Sequence, residues 1–258
     1  MIKTNYNKIA KTYNNRYREN YLTNIENDLK NIVVANNYTN ILEAGSGTGR
    51  WINSLEKNEY KIFGLDYSLE MLKISRNNNA ELKVVNANAI KIPFKDCTFD
   101  LIFSINAIHH FPDKNLFLNE CRRTLKQSGS LAIYSVDPHI DKNWYVYEYF
   151  DSVYENDLKR FIPIEELKIK LKENNFSDIK VKVVEKVFNE RVGNDVFNDP
   201  FLDKNHSSQL ANLSDKEYET GIKKIKNKIL NNPKTVFTTS VIFYLIIAKK
   251  EIQNADTN

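Results

Sequence analysis

Cysteine is nearly absent from this chain. Cys97 and Cys121 are the only two, they form no CxxC pair, and no histidine stands beside them at ligand spacing. A disulfide framework is thereby excluded, no metal site is expected, and a reducing cytoplasm is the expected compartment. Long apolar runs are missing as well. The longest, "VIFYLIIA" at 241–248, is too short to span a bilayer, and the opening "MIKTNYNKIAKTYNNRY" lacks an apolar core segment, so no membrane association is expected. Nor do like charges cluster: 37 Lys and Arg are spread among 33 Asp and Glu, for a net charge of +4. The densest basic stretch, "GIKKIKNKILNNPK" at 221–234, has the spacing of a solvated helix face, which disfavours a nucleic-acid partner.

Glycine is scarce too, with seven in 258 residues, yet three fall at alternate positions in "ILEAGSGTGR", residues 41–50. Backbone that bends sharply or closely approaches a ligand is where a missing β-carbon matters most. In a strand–turn–helix setting such a loop is expected to present free N–H groups at the helix N-terminus. The dinucleotide fingerprint requires G-x-G-x-x-G, whereas here Arg50 stands where its third glycine should be, which disfavours a nicotinamide cofactor. One strand later, Asp66 ends "FGLD", where a carboxylate accepts hydrogen bonds from ribose hydroxyls. Loop and acid together predict a nucleoside at the carboxyl edge of a sheet.

The 41% hydrophobic and 27% charged composition is that of a soluble globular domain. Buried strands are predicted at 40–44, 61–66, 82–87, 99–105 and 129–136. Helices lie between them, one opened by Ser68 as N-cap and one, residues 113–127, by Asp113. This alternation predicts a mostly parallel sheet covered on both faces. Two helices are expected within residues 3–36, the first with Tyr6, Ile9, Ala10, Tyr13 and Tyr17 at helical spacing. Residues 138–160 read as one aromatic-rich helix, and a second starts at Pro163. A half-exposed strand follows in "DIKVKVVEKVF", then a long excursion from Asn189 to Thr235 with one helix after Ser214, and a closing apolar strand in "VFTTSVIFYLIIAKK".

Four blocks in order, "ILEAGSGTG", "GLDYSLEML", "ANAIKIPFKDCTFDLIFSINAIHHF" and "RRTLKQSGSLAI", resemble the class I S-adenosylmethionine-dependent methyltransferases, in particular the group containing the ubiquinone-biosynthesis methyltransferases. The likeness covers roughly residues 6–136. It implies an α/β fold: a Rossmann-like, seven-stranded, mostly parallel sheet with helices on both faces and helical insertions forming a lid. The organisation it implies is one domain over 1–258, with helical cover at 1–36, a cofactor-binding core at 37–136, and insertions at 137–175 and 189–235 forming the acceptor site. Carried over by position, Glu43, Gly45, Ser46 and Gly47 would line the methionine end of S-adenosyl-L-methionine, and Asp66 would hold the ribose. Tyr67 and Met71 would pack on or near the adenine, and Tyr13, Ala89, Ser104 and Ile105 complete the implied set. Asn88 stands where the family usually carries an Asp that accepts from the adenine amino group; it keeps a carbonyl acceptor and gives up the charge.

Methyl transfer from a sulfonium is an in-line displacement that needs positioning more than protein nucleophiles or metals. His109 and His110, which follow the fourth strand, are the candidate base or acceptor-orienting residues, or else packing residues. Trp144, Tyr145, Tyr147, Tyr149, Phe150 and Tyr154 are too many for one helix face. They either roof the site together with Tyr13 and Tyr17 or cement the insertion to the sheet. A small organic acceptor is expected, with the oligomeric state left open. Two other readings remain: "SINAIHHF" also resembles the corresponding stretch of tRNA wobble-uridine methyltransferases, and a cofactor-binding protein without catalysis would share the loop.

Overall fold

The computed structural model describes Ala10, residues 21–55 and residues 60–251. Tyr6, Ile9, Tyr13 and Tyr17, and with them the first predicted helix, lie outside the described residues. The second appears as α1 (Thr23–Ala35), whose Ile25, Leu29 and Val33 face inward at helical spacing.

The strands follow the apolar runs. β1 (Asn40–Ala44) and β4 (Phe99–Ile105) are buried almost throughout, as both-face-covered parallel strands are. β2 (Lys61–Asp66) and β3 (Lys83–Asn86) complete one half of the sheet; β5 (Leu125–Ser135), β6 (Phe176–Val192) and β7 (Val236–Lys250) complete the other. The order is β3-β2-β1-β4-β5-β7-β6, with β7 antiparallel to both neighbours and β1 to β5 parallel. The strand order reverses between β1 and β4, and beyond the carboxyl ends of such a pair the flanking crossovers diverge and leave a crevice.

Helices cover both faces. α2 (Arg50–Leu55), α3 (Leu69–Asn78) and α1 bury Trp51, Ile52, Leu72 and Leu29 against Ile41, Phe103 and Tyr134. On the other face, α4 (Lys114–Thr124) and α7 (Ile164–Glu173) bury Phe117, Leu118, Leu167 and Leu171 against Leu42, Ile102 and Leu131. The caps are as expected: Ser68 accepts from the Met71 amide at 3.3 Å and Asp113 from the Leu116 amide at 2.9 Å. α7 starts one residue after Pro163, and its first free amide, Ile164 N–H, is taken by the buried Asp137 carboxylate at 2.9 Å.

Two predicted elements differ. The helix expected to run to Gln127 stops at Thr124, because Leu125 already pairs with Phe99 and the strand absorbs an irregularity, with Ser128 at φ 60°, before pairing resumes at Ser130. Residues 138–160 form two short helices, α5 (Tyr145–Tyr149) and α6 (Val153–Arg160), because Phe150 breaks the first with extended backbone. The segment 164–173, expected within an insertion, is the helix that packs on the sheet core.

The long excursion after β6 contains two 3-10 turns, Gly193–Asn198 and Pro200–Leu202, and two helices, α8 (Ser208–Ala211) and α9 (Asp215–Asn231). Ser214 and Glu217 close a reciprocal capping box on α9. Trp144, Tyr145, Tyr149 and Phe150 dock on the start of β7, where Trp144 bridges Thr239 and Tyr145 and Tyr149 meet Phe237. They join Val196, Leu202, Leu210, Ile225 and Phe237 in a separate core that ties the two insertions together. Tyr145 and Tyr149 meet Phe237 at ring separations of 5.8 and 5.4 Å, and Phe150 stacks on Tyr218 at 5.9 Å.

Gly221 on α9 makes room for that core: a β-carbon there would fall 2.3 Å from the buried Phe150 ring. Gly221→Ala is expected to lower stability by about 1–3 kcal/mol through overpacking, lowering Tm by roughly 2–4 °C per kcal/mol. A Tm at or above that of the parent protein, as the helix-propensity gain of about 1 kcal/mol alone would give, contradicts this docking.

Candidate functional site

The β1–β4 crevice gathers the predicted residues from three strand ends. The glycine loop leaves β1 after Ala44 and folds back over β2, with Gly45 N–H and Ser46 N–H both donating to the Leu65 carbonyl at 2.8 and 3.0 Å. Gly45 adopts φ 81°, and a β-carbon there would meet the Ala107 side chain at 2.5 Å, so the loop is held down on the turn after β4. Gly47, at φ 52°, has open space on the side where a β-carbon would project.

Asp66 ends β2 beside this loop. Its Oδ2 accepts from Gly47 N–H and its Oδ1 from Ser68 N–H, both at 2.8 Å. Burial raises its pKa, and the backbone donors at Ser68, Gly47 and Tyr67 oppose that rise. Each oxygen keeps a lone pair for a further donor. Asn86, at the end of β3, was not singled out in the sequence. Its side-chain amide donates to the carbonyls of Asp66 and Tyr67 at 3.0 Å each and so fixes the turn that aims the carboxylate. An Asn closing a strand next to an acid-bearing turn is the signal that could have found it.

The expectation of a loop rich in free N–H groups is corrected. Gly45, Ser46 and Gly47 spend theirs on Leu65 and Asp66, and Gly49 N–H donates to the Ser46 carbonyl at 2.9 Å. What the crevice has to spare is carboxylate oxygens and hydroxyls. Glu43 is wholly buried, and neither carboxylate oxygen has a hydrogen-bond partner; the buried Oγ of Ser46 and of Ser104 and the Asn106 side-chain carbonyl also lack one. Burial pushes the Glu43 carboxyl well above the usual carboxylate range; the backbone N–H of Ile52 opposes the rise, and the nearby negative charge of Asp66 adds to it. Glu43 pairs in register with Phe103 of β4, so Ser104 and Asn106 lie just beyond it at the same edge. A buried acid pair, with the Ser46 and Ser104 hydroxyls free both to donate and to accept, suits a cationic ligand group rather than a pyrophosphate.

Tyr67 is 62% exposed at the rim. Met71 is buried and packs with Ala10, with Ile74 and Ala211 of α8 against them, so Ala10, the helix after Asp66 and the second insertion meet there. Asn88 lies past β3, and its side-chain carbonyl already accepts from Ile90 N–H at 3.2 Å, which leaves one lone pair for a ligand. Ala89 and Ile105 point their side chains into the two sheet cores, so only their backbone faces the crevice. Tyr13 lies outside the described residues.

His109 and His110 form a 3-10 turn after β4 (Ile108–His110). The His109 ring is buried, 3.9 Å from the His110 ring and stacked at 3.9 Å on Phe161. Both expected roles, packing and chemistry, are thus compatible with their position at the crevice wall. Cys97 and Cys121 are free thiols, exposed and buried respectively. Among the described residues no group of three His, Cys, Asp or Glu side chains is gathered, and no helix is long and apolar enough to cross a membrane.

The family described as "Methyltransferase domain" matches residues 42–133, the span from β1 into β5 that builds this crevice. Demethylmenaquinone methyltransferase of Thermotoga maritima is 29% identical over 134 residues, which cover 51% of this chain and 56% of that protein. The chain spans about half the length of the first curated relatives it matches. In three dimensions it is similar to the YcgJ protein of Bacillus subtilis, with TM-score 0.63 at 17% identity over 88% of this chain and 98% of that one. It is also similar to a phosphoethanolamine N-methyltransferase of Haemonchus contortus in complex with S-adenosyl-L-methionine, with TM-score 0.57 at 18% identity over 95% of this chain and 57% of that one. The family match, the strand order and the crevice thus fall on the same stretch: residues 42–133 are similar to a methyltransferase domain, and they build the β1–β4 edge.

Proposed function

We propose that the chain is an S-adenosylmethionine-dependent methyltransferase acting on a small organic acceptor. The observation that carries this reading is Glu43: a wholly buried carboxylate whose oxygens make no hydrogen bond of ordinary geometry among the described residues, with only the Ile52 N–H acting on it as a donor, under a loop in which the amides of Gly45, Ser46 and Gly47 are spent. The methionine end of the cofactor bears an ammonium and a sulfonium, the charges that such a carboxylate lacks. When bound, S-adenosylmethionine supplies an electrophilic methyl carbon on a sulfonium.

The residues divide the remaining work. Glu43, with Ser46 and Ser104 beside it, would receive the ammonium, and Gly47 leaves the open space next to it. Asp66, fixed by Gly47, Ser68 and Asn86, would take the ribose hydroxyls, with Met71 and Tyr67 flanking the base and Asn88 meeting its amino group. His109 and His110 on the wall after β4 would orient the acceptor or take its proton, a role needed only where the nucleophile is protonated. The two insertions would cover the crevice, with Ala211 as the point where the second meets Met71. Covering excludes water and fixes the line of attack, the main share a protein has in such a displacement.

The raised Glu43 pKa makes cofactor binding a proton-linked event. In the free protein Glu43 keeps its proton above the usual carboxylate range; a bound cation favours the ionised form and expels it. Calorimetry in buffers of different ionisation heat is expected to show proton release on S-adenosylmethionine binding, with affinity rising as pH rises toward the free-protein pKa. In Glu43→Gln the release disappears, and affinity falls about 10- to 100-fold, as for a lost charge-assisted bond. Folding stability changes in the opposite direction. A folded-state pKa above the unfolded value means stability that is full below the unfolded pKa and lost as pH rises through the folded one, so Glu43→Gln flattens that loss. Equal proton release by both proteins would contradict the assignment.

For His109 and His110, turnover at saturating acceptor is the measure. Replacement of the participating histidine by Gln is expected to lower kcat about 10²-fold or more while cofactor affinity holds; unchanged turnover in both single variants would remove them from the chemistry.

A further inference from the structure

Beside the histidine wall lies a second concavity, of about 250 Å³, between α6 and α8, with Val153 in its lining beside Asn156, Asp157, Lys159, Arg160 and Gln209. Its position links it to the crevice on two sides. On one, the Arg160 guanidinium stands 5.7 Å from the Phe161 ring, which stacks on His109. On the other, α8 carries Gln209 into the concavity and Ala211 onto Met71.

Inside it the carboxylate is already satisfied. Asp157 Oδ1 accepts from Arg160, and Oδ2 accepts from the Tyr147 hydroxyl at 2.9 Å and the Gln209 amide at 3.1 Å. The donors are not all used. Arg160 is 5% exposed, and its Nε–H has no acceptor, although the other end of the guanidinium is engaged by Asp157 and, at 3.4 Å, by Ser208. Lys159, exposed at the rim, forms no ion pair with any described carboxylate. A buried arginine with a donor to spare, backed by a second cation and amide groups, is suited to an oxyanion.

We propose that this concavity is the acceptor subsite for an anionic oxygen group, a carboxylate or a phosphate, carried by the methyl acceptor; this rests on the methyltransferase reading. Arg160 Nε–H and Lys159 hold the anion, Asp157 and Tyr147 lock the guanidinium orientation, and the rest of the acceptor extends past Phe161 toward His109. The acceptor is then a small molecule with an anionic end remote from the atom methylated.

The test uses the whole chain labelled with ¹⁵N. The Arg160 Nε–H signal, assigned by its loss in Arg160→Lys, is followed during titration with inorganic phosphate or sodium acetate, with potassium chloride at equal ionic strength as reference. A saturable shift with Kd on the order of millimolar, weakened about two- to fivefold in Lys159→Gln, is expected; response to phosphate alone assigns a phosphoryl acceptor, and response to acetate alone a carboxylate. No response beyond chloride, or one indifferent to Lys159→Gln, overturns the subsite. Binding of S-adenosylmethionine, measured separately by calorimetry, is expected to be the same in Lys159→Gln. If it is intact while the anion response is missing, only the subsite falls. If the parent protein binds no S-adenosylmethionine, the methyltransferase reading falls, and with it the acceptor role of any anion site.

Discussion

Glu43 sits near the end of a buried parallel strand, shielded from water, with two carboxylate oxygens that make no hydrogen bond of ordinary geometry among the described residues and only the Ile52 N–H acting on them as a donor. Such a group is tolerated only if it keeps its proton or receives a cation. Everything around it maintains that condition. The reversal of strand order between β1 and β4 opens the space above it, and Gly45 presses the loop down against Ala107 so that the space stays narrow. The amides of Gly45, Ser46 and Gly47 are consumed by Leu65 and Asp66, so none of these three relieves the carboxylate. The crevice is thus poised by what it leaves unpaired: the Glu43 carboxylate and the Ser46 and Ser104 hydroxyls.

That distinction separates this site from the nucleotide loops it resembles in sequence. A pyrophosphate site needs free amides at a helix N-terminus, and three of the amides that could serve are bound here. Acidic groups of unlike environment stand in their place. Glu43 is unsatisfied and protonated easily, whereas Asp66 is held by backbone donors from Gly47 and Ser68. One suits a charge and the other a pair of hydroxyls, which is the polarity expected along a nucleoside that carries an amino acid.

The sheet and the loop were legible because burial on both faces writes a continuous apolar run, and because glycine at a positive φ has few substitutes. β1, β2, β4 and β7 fall on the residues expected. Asp66 and the Ser68 cap were legible for the same local reasons. Long-range pairing was not. Nothing near Asn86 states that its amide will brace the Asp66 turn, and nothing near Leu125 states that it will pair with Phe99 and end α4 early. The aromatic insertion shows the limit most clearly. Composition leaves open a roof over the site or cement to the sheet; Trp144, Tyr145, Tyr149 and Phe150 join Phe237 of β7 and also Leu210 and Ile225 of the second insertion in one core. That choice depends on α9 presenting Gly221 to Phe150, a contact between residues far apart in the chain.

The central claim is that the β1–β4 crevice is a cation-accepting cofactor site centred on Glu43 and Asp66. A crystal structure of the chain grown with S-adenosylhomocysteine measures this directly. The account predicts the amino group within hydrogen-bonding distance of the Glu43 carboxylate and the ribose hydroxyls on Asp66. Density for the nucleoside elsewhere, or bound with Glu43 still lacking any partner, would contradict it.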